Sequence, residues 1–305
     1  MTSPENQEDF SQLVQKIHPQ GKLIGTWPLE GGVSAQTTAL EVQWPDGTTQ
    51  KLVVRQHGER DLRRNPHVAE DEFDLLKHLS EKGLAVPKPY FSDSSNQILS
   101  SPFIVVDFVE GITEFEPENL DAYLTQFTTH LANIHQVDCS QLDLSKSFRQ
   151  VQRYEEKIQH QPKKFDDAIE EGRVRDILKS NWPWTQTNET ALLHGDFWPG
   201  NLLWRDGQLA AVIDWEDAHF GDPLSDVAIS RAELAIFFGV SAMERFTEKY
   251  QSIHPLDLAN LPYWDLYAVL RYPFNIPEWA EDKQAERKML RELNAFIQQA
   301  LEKIS

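Results

Sequence analysis

The chain has 305 residues, and its 29 Lys and Arg against 48 Asp and Glu give a formal charge of −19. Such a surface argues against nucleic acid as a general partner, because phosphate backbones are gripped by Lys and Arg, and it is compatible with neutral or cationic small molecules. One cysteine, Cys139, leaves no internal disulfide, the N-terminus lacks the basic and apolar parts of a signal peptide, and the longest apolar run, near 232–240, is too short to span a bilayer, so the expectation is a cytoplasmic protein with no membrane partner; composition leaves its oligomeric state open.

Residues 8–17 carry Phe10, Leu13, Val14 and Ile17 at the spacing of a short amphipathic helix. Three strands follow, over about 22–29, 36–44 and 51–56. The turn between the first two is Glu30-Gly31-Gly32-Val33-Ser34-Ala35. Paired glycines let backbone N–H groups approach an anion, although a plain hairpin turn accounts for the same residues. No G-x-x-x-x-G-K-[ST] is present, which excludes a Walker-type phosphate loop. A helix is predicted over 66–82, with Pro66 in its first turn, an apolar face of Ala69, Phe73, Leu76 and Leu79, and Gly83 as its stop. Glu72 lies beside that face, turned toward the sheet, where a carboxylate needs a cation. Arg55 on the third strand is the candidate, and only register separates Glu72 from Glu70 as its partner. A strand over 102–109 runs into Glu110-Gly111. Beyond it, Leu120, Tyr123, Leu124, Phe127, Leu131 and Ile134 make one helical face, flanked by His130 and His135, which read as structural. Residues 146–180 are charged with helical spacing.

The stretch 193–215, L-H-G-D-F-W-P-G-N-L-L-W-R-D-G-Q-L-A-A-V-I-D-W, organises the rest. Asp206-Gly207 between two apolar runs is a hairpin signal. Asp196 and Asn201 follow the first strand and Asp214 ends the returning one, so three oxygen-bearing side chains are expected to converge, as hard cations such as Mg²⁺ prefer. A lone H-G-D is common in turns, and it is the ordered set that favours chemistry. The following G-D-P-L-S-D supplies Asp222 and Asp226, either as caps for a helix over 227–238 or as hydrogen-bond anchors for the loop before it. Helices are predicted over 241–251, 262–275 and 284–303, with Trp264, Asp265, Tyr267, Arg271, Glu278, Trp279 and Glu281 in or between them.

H-G-D-x-x-x-x-N followed by I-D-W-E resembles the catalytic signature of the aminoglycoside phosphotransferase-like kinases, relatives of the choline, fructosamine and protein kinases. The resemblance implies a bilobal, protein-kinase-like α+β fold: a small antiparallel-sheet lobe over 1–108 that binds nucleotide and a larger, mainly helical lobe over 109–305 that carries catalysis and the acceptor. It implies transfer of the γ-phosphate of Mg-ATP to a hydroxyl of a small molecule, such as an aminoglycoside, an amino alcohol or a sugar, with Mg²⁺ and ATP as cofactors. Asp196 would be the catalytic base, and Asn201 and Asp214 the metal ligands. Arg55, where protein kinases carry a strand lysine, would grip the phosphates, oriented by Glu72. Gly31, Gly32 and Ser34 would lie over the phosphates, and the backbone at Asp107 to Val109 would meet the adenine edge. His194, Asp222 and Asp226 would support the catalytic loop, and the acceptor would lie near Glu216, His219, Trp264 and Trp279. Neither D-F-G nor A-P-E is present, which sets the chain apart from protein kinases. A nucleotide-binding pseudokinase-like module and a metal-dependent phosphoesterase are the rival readings. The carboxylates behind the loop (Glu216, Asp217, Asp222, Asp265, Glu278 and Glu281) predict a neutral or amine-bearing acceptor.

Overall fold

A computed structural model describes residues 4–29, 35–142 and 148–304. Gly31, Gly32 and Ser34, expected over the nucleotide phosphates, lie outside the described residues. The chain forms two units, one of Met1–Gly111 with Ala210–Glu216, the other of Ile112–Leu209 with Asp217–Ser305. The sequence reading has a single boundary at 108. In the structure the chain re-enters the first unit after the hairpin turn, where Val212 N–H donates to Ala85 O at 2.8 Å.

The first unit opens with α1 (Pro4–Ile17), followed by β1 (Lys22–Pro28), β2 (Ala35–Gln43) and β3 (Thr49–His57). Then come α2 (Glu59–Arg64), α3 (Val68–Glu81), β4 (Pro89–Asp93) and β5 (Phe103–Asp107). The strands make one antiparallel sheet in the order β1-β2-β3-β5-β4. Period-two alternation puts Leu40 and Val42 of β2, Leu52 and Val54 of β3, and Phe103 and Val105 of β5 into one core with Phe10, Leu13 and Val14 of α1. α3 starts at Val68, two residues beyond Pro66, and buries Ala69, Glu72, Leu76 and Leu79. α2 is absent from the sequence reading, because Glu59-Arg60-Asp61-Leu62-Arg63-Arg64 has no apolar period to reveal it.

The second unit is mainly helical. Its elements are α4 (Leu120–His135), α5 (Phe148–Gln159), α6 (Glu171–Asn181), β6 (Ala191–Leu193), β7 (Leu202–Arg205), β8 (Gln208–Val212), β9 (His219–Gly221), α7 (Leu224–Phe238), α8 (Val240–Ile253), α9 (Leu261–Val269), α10 (Ile276–Trp279) and α11 (Lys283–Ile304). β8 carries the chain back into the first unit. The turn before it has φ of 53° at Asp206 and 71° at Gly207, the two positive angles that the Asp-Gly signal requires. Tyr123 stacks on Trp204 at 4.4 Å, and Phe127 meets Phe197 and Phe246 edge-on at 4.8 and 5.6 Å, so α4 packs through rings against the 193–215 segment and α8. α7 is buried on every side, from Leu224 to Ile236. No helix among the described residues is long and apolar enough to cross a membrane.

Helices of the second unit are tied by a buried ion pair. Arg231 of α7 donates through Nε and Nη2 to Oδ1 and Oδ2 of Asp265 on α9, both at 3.0 Å, and through Nη1 to Thr247 of α8. Asp265, expected near the acceptor, is consumed in this contact. Removing one partner of a buried pair strands the other charge, whereas replacing both by apolar groups does not. Asp265→Ala is therefore expected to cost about 3–5 kcal/mol in urea denaturation, with Arg231→Met/Asp265→Leu much closer to wild type. A double variant as unstable as the single one would contradict this.

Candidate active site

In the first unit Arg55 follows Val54 on β3, and strand alternation turns it to the face opposite Leu52 and Val54, which pack into the α1 core. Its Nη1 donates to Glu72 Oε1 at 2.7 Å, and its Nη2 to Asp214 Oδ1 at 2.5 Å and to Glu216 Oε2. Glu70 lies instead beside His67, at 3.6 Å, so helix register makes Glu72 the partner. Burial works against the Arg55 charge, but Glu72, Asp214 and Glu216 hold its pKa above the ordinary value. His57, two residues along the strand, is 1% exposed, and its pKa is pushed down to about 3 by burial and by Arg55. It is therefore a neutral imidazole. His57, Asp61 and Glu216 place ligand atoms within 4.8 Å of one another, and Arg55 is the cation beside them.

Asp214 follows β8 at φ 67°, a left-handed angle unusual for any residue but glycine and best tolerated by Asp and Asn. Trp215 Nε1 donates to Val212 O at 2.9 Å and closes this turn. Glu216, expected near the acceptor, is bound to Arg55 instead. At the end of β5 the N–H groups of Asp107 and Phe108 are taken by Lys88 O at 2.9 Å and Lys51 O at 3.2 Å. The Asp107 side chain accepts from Gln50 Nε2 at 2.8 Å and Tyr90 OH at 2.9 Å. Asp107 therefore has no N–H for an adenine edge, and Val109 is the first position of the segment whose N–H the sheet does not use.

In the second unit the loop after β6 is built around Asp226, in the first turn of α7. Its Oδ2 accepts from His194 N–H at 2.6 Å and its Oδ1 from Gly195 N–H at 2.9 Å, with His135 Nε2 at 3.3 Å. Burial raises its pKa, but the bond and charge of His135, with His194 and His219, bring the carboxyl below its ordinary value. Asp226 anchors the loop and is not a helix cap. Gly195 has φ 82°, and a Cβ there would lie 2.3 Å from the Asp217 carbonyl oxygen, so glycine is required twice over. His194, fully buried, accepts from Asp196 N–H through Nδ1 at 3.2 Å. Asn201 closes the loop, donating through Nδ2 to Asp196 O at 2.9 Å and Oδ2 at 3.1 Å. Both bonds use the amide nitrogen, which leaves the amide oxygen as an acceptor.

Arg271, just beyond α9, donates through Nη2 to Asp196 Oδ1. Nothing in the sequence marks this pair, 75 residues apart. Three other expected residues are structural. Asp222 accepts from Leu224 N–H at 3.1 Å and from Trp264 Nε1 and Asn188 Nδ2 at 3.3 Å. His219 is held by Asp217 O at 2.8 Å and by Tyr154 OH, and burial lowers its pKa. Trp264 is buried among Tyr154, Trp184 and Tyr267. Trp279 is exposed, with its ring 5.8 Å from Tyr272.

The model of the phosphotransferase enzyme family APH matches residues 28–267. The chain belongs to this family. A curated relative, the rat acyl-CoA dehydrogenase family member 11, is 27% identical over 262 residues, covering 73% of this chain. The chain spans only 32% of that relative's length. Among solved structures, macrolide 2′-phosphotransferase type I superposes with a TM-score of 0.60 at 18% identity, over 98% of both chains. An amicoumacin kinase in complex with AMP-PNP and Ca²⁺ gives 0.58 at 15% identity, over 92% of this chain and 89% of that one. The kinase-like α+β fold is thus that of the aminoglycoside and macrolide phosphotransferases.

Glu233, on α7, accepts from Tyr272 OH at 2.9 Å through Oε1, while its buried Oε2 has no hydrogen-bond partner among the described residues. Burial, opposed by Arg271 and reinforced by Asp196, pushes its pKa up to about 7. The folded state holds this proton where the unfolded chain, with a value of 4.5, has lost it. The stability Glu233 contributes is therefore full below pH 4.5 and lost as pH rises to about 7. Between pH 5 and pH 8, wild type is expected to lose about 2 kcal/mol in urea denaturation relative to Glu233→Gln. Parallel pH profiles for the two proteins would contradict it.

Proposed function

We propose that this phosphotransferase moves the γ-phosphate of Mg-ATP to a hydroxyl of a small molecule. The observation that carries this reading is the catalytic loop: Asp226 grips the backbone at His194 and Gly195, and Asn201 grips Asp196 at both its carbonyl and its carboxylate. The loop presents one carboxylate and one amide oxygen in fixed relation, which is what in-line phosphoryl transfer asks of a protein. Asp196 accepts a hydrogen bond from the acceptor hydroxyl and aligns it, the role of a positioned base.

The donor set suits a divalent cation. In the first unit a single guanidinium faces the carboxylates of Glu72, Asp214 and Glu216, so negative charge is in excess where Asp214 is held at its left-handed angle. Asp214 and Asn201 offer the hard oxygen ligands that Mg²⁺ favours. Mg²⁺ would supply charge neutralisation for the phosphates. Arg55, oriented by Glu72, would grip phosphate oxygens as Asp214 turns to the metal. Backbone groups near Val109 would face the base. AMP-PNP and a divalent cation bound to a relative of the same fold support the nucleotide and the metal. A pseudokinase-like module is disfavoured, since Asp196, Asn201 and Asp214 are all present.

ADP release over a panel of hydroxyl compounds tests this reading. Asp196→Asn is expected to lower turnover by about 10²–10⁴-fold while Mg-ATP affinity, measured by calorimetry, is kept. Asp214→Ala is expected to lose the magnesium-dependent part of that affinity. Full turnover in the first variant, or unchanged affinity with and without magnesium in the second, would remove these residues from their roles.

A further inference from the structure

In a chain of net charge −19, four cations gather behind Asp196, with Asp217 and Glu233 as the nearby carboxylates. Arg271 holds Asp196. Arg153 of α5 donates to Asp217 at 2.8 Å, and the Asp217 carbonyl packs against Gly195, one residue before Asp196. Lys157, one turn along α5 from Arg153, sits with Nζ 5.4 Å from the centre of the Tyr267 ring. Arg175, which binds Glu171 at 2.8 Å, donates to the Lys157 carbonyl at 2.9 Å. The ion pairs are one to one: Arg271 with Asp196, Arg153 with Asp217, Arg175 with Glu171. Lys157 is the cation left over, with no carboxylate in salt-bridge range among the described residues. Burial and its neighbours Arg271, Arg153 and Arg175, opposed by Asp217, push its pKa down to about 7. Arg271 uses only Nη2 on Asp196, so its Nε and Nη1 have no protein acceptor among the described residues.

We infer that the acceptor carries an anionic oxygen group, a carboxylate or a phosphate, which Lys157 and Arg271 bind together while its hydroxyl engages Asp196. The inference rests on the phosphotransfer reading and gives its substrate class. Engagement of Asp196 by the hydroxyl releases Arg271, and an anion on the same molecule is the partner that keeps this guanidinium paired. It would also restore the Lys157 ammonium to its charged state and turn the clash among the cations into attraction. The overall negative charge, which by itself points to an amine-bearing acceptor, resides elsewhere. Asp222 and Asp265 are tied inside the fold, and Glu216 is bound to Arg55.

Two measurements on the full chain test this. The first compares ADP release in matched series: glycerate, glycerol 3-phosphate, glycerol and serinol, and then gluconate, glucose 6-phosphate, glucose and glucosamine. An anionic member is expected to have the highest kcat/KM of any series that is turned over, and the carboxylate and phosphate members show which anion is preferred. Lys157→Gln is expected to raise its KM about tenfold with kcat held, the loss of one charge-assisted hydrogen bond. A neutral or amine-bearing member turned over best, or an unchanged KM in the variant, overturns the inference. The second needs no turnover and no variant. Acetic anhydride near pH 7.5 should label Lys157 ahead of ordinary lysines, whose pKa is about 10.4. With AMP-PNP and magnesium present, inorganic phosphate or glycerate should suppress that label in peptide mapping, and glycerol should not. Labelling indifferent to anions overturns the inference. Protection without ADP release from any compound keeps the anion site and overturns phosphotransfer, whereas ADP release with serinol and no protection does the reverse.

Discussion

One buried carboxylate sets the shape of the catalytic loop. Asp226 is withdrawn from water, and a desolvated carboxylate is costly unless hydrogen bonds surround it. Two backbone N–H groups, from His194 and Gly195, and the His135 ring provide them. Satisfying Asp226 fixes the chain at the two residues before Asp196. The bend needs a positive φ at Gly195, and the Asp217 carbonyl fills the space where a side chain would stand. His135 is held in turn by Tyr250 OH at 2.6 Å, so α4, α7 and α8 all converge on this anchor. The fold of the second unit and the aim of Asp196 are thus one constraint.

The charged groups of the two units follow a common pattern. Each carboxylate assigned to the reaction is held by an arginine of its own unit, Asp214 by Arg55 and Asp196 by Arg271. Neither arginine can lose its charge at any relevant pH, so both pairs hold across the working range. On the proposed function, binding of substrates would exchange partners around fixed charges: phosphates would compete for Arg55, and the acceptor for Arg271. Arg55 also explains why its neighbours are so acidic. With Glu72, Asp214 and Glu216 on one guanidinium, the first unit holds carboxylate charge in excess of this cation, as the proposed metal site would require. An arginine in place of a lysine suits this arrangement, since its planar fork presents five donors in fixed directions that can meet separate carboxylates.

Much of this was legible in the residues. Alternation marked the strands of the first unit, Asp206-Gly207 marked the hairpin, and the interval from Asp196 to Asn201 placed both on one loop. Helix and strand period pointed to Glu72 as the partner of Arg55 but left Glu70 open, and the helix register of the structure separates them. What stayed hidden depends on contacts between distant positions. Arg271 reaches Asp196 from 75 residues away and Arg55 reaches Glu216 from 161 residues away, and neither leaves a trace in local pattern. Lys157 lay in a charged stretch with no signal beyond helical spacing. Net charge is a blunt guide to a site for a related reason: it sums the surface, whereas a site responds to the few groups within a Debye length, about 8 Å at physiological ionic strength. The resemblance placed His219 and Trp264 near the acceptor, and sequence does not show that Tyr154 and Asp222 engage their polar atoms.

The fate of the γ-phosphate decides whether Asp196 directs it to a hydroxyl or to water. ³¹P NMR of the full chain with Mg-ATP and its best acceptor reads this directly. A phosphate monoester signal growing with ADP, and absent for Asp196→Asn, is the expected result. Inorganic phosphate as the sole new species, or a monoester formed equally fast by the variant, would contradict a phosphotransferase whose acceptor is aligned by Asp196.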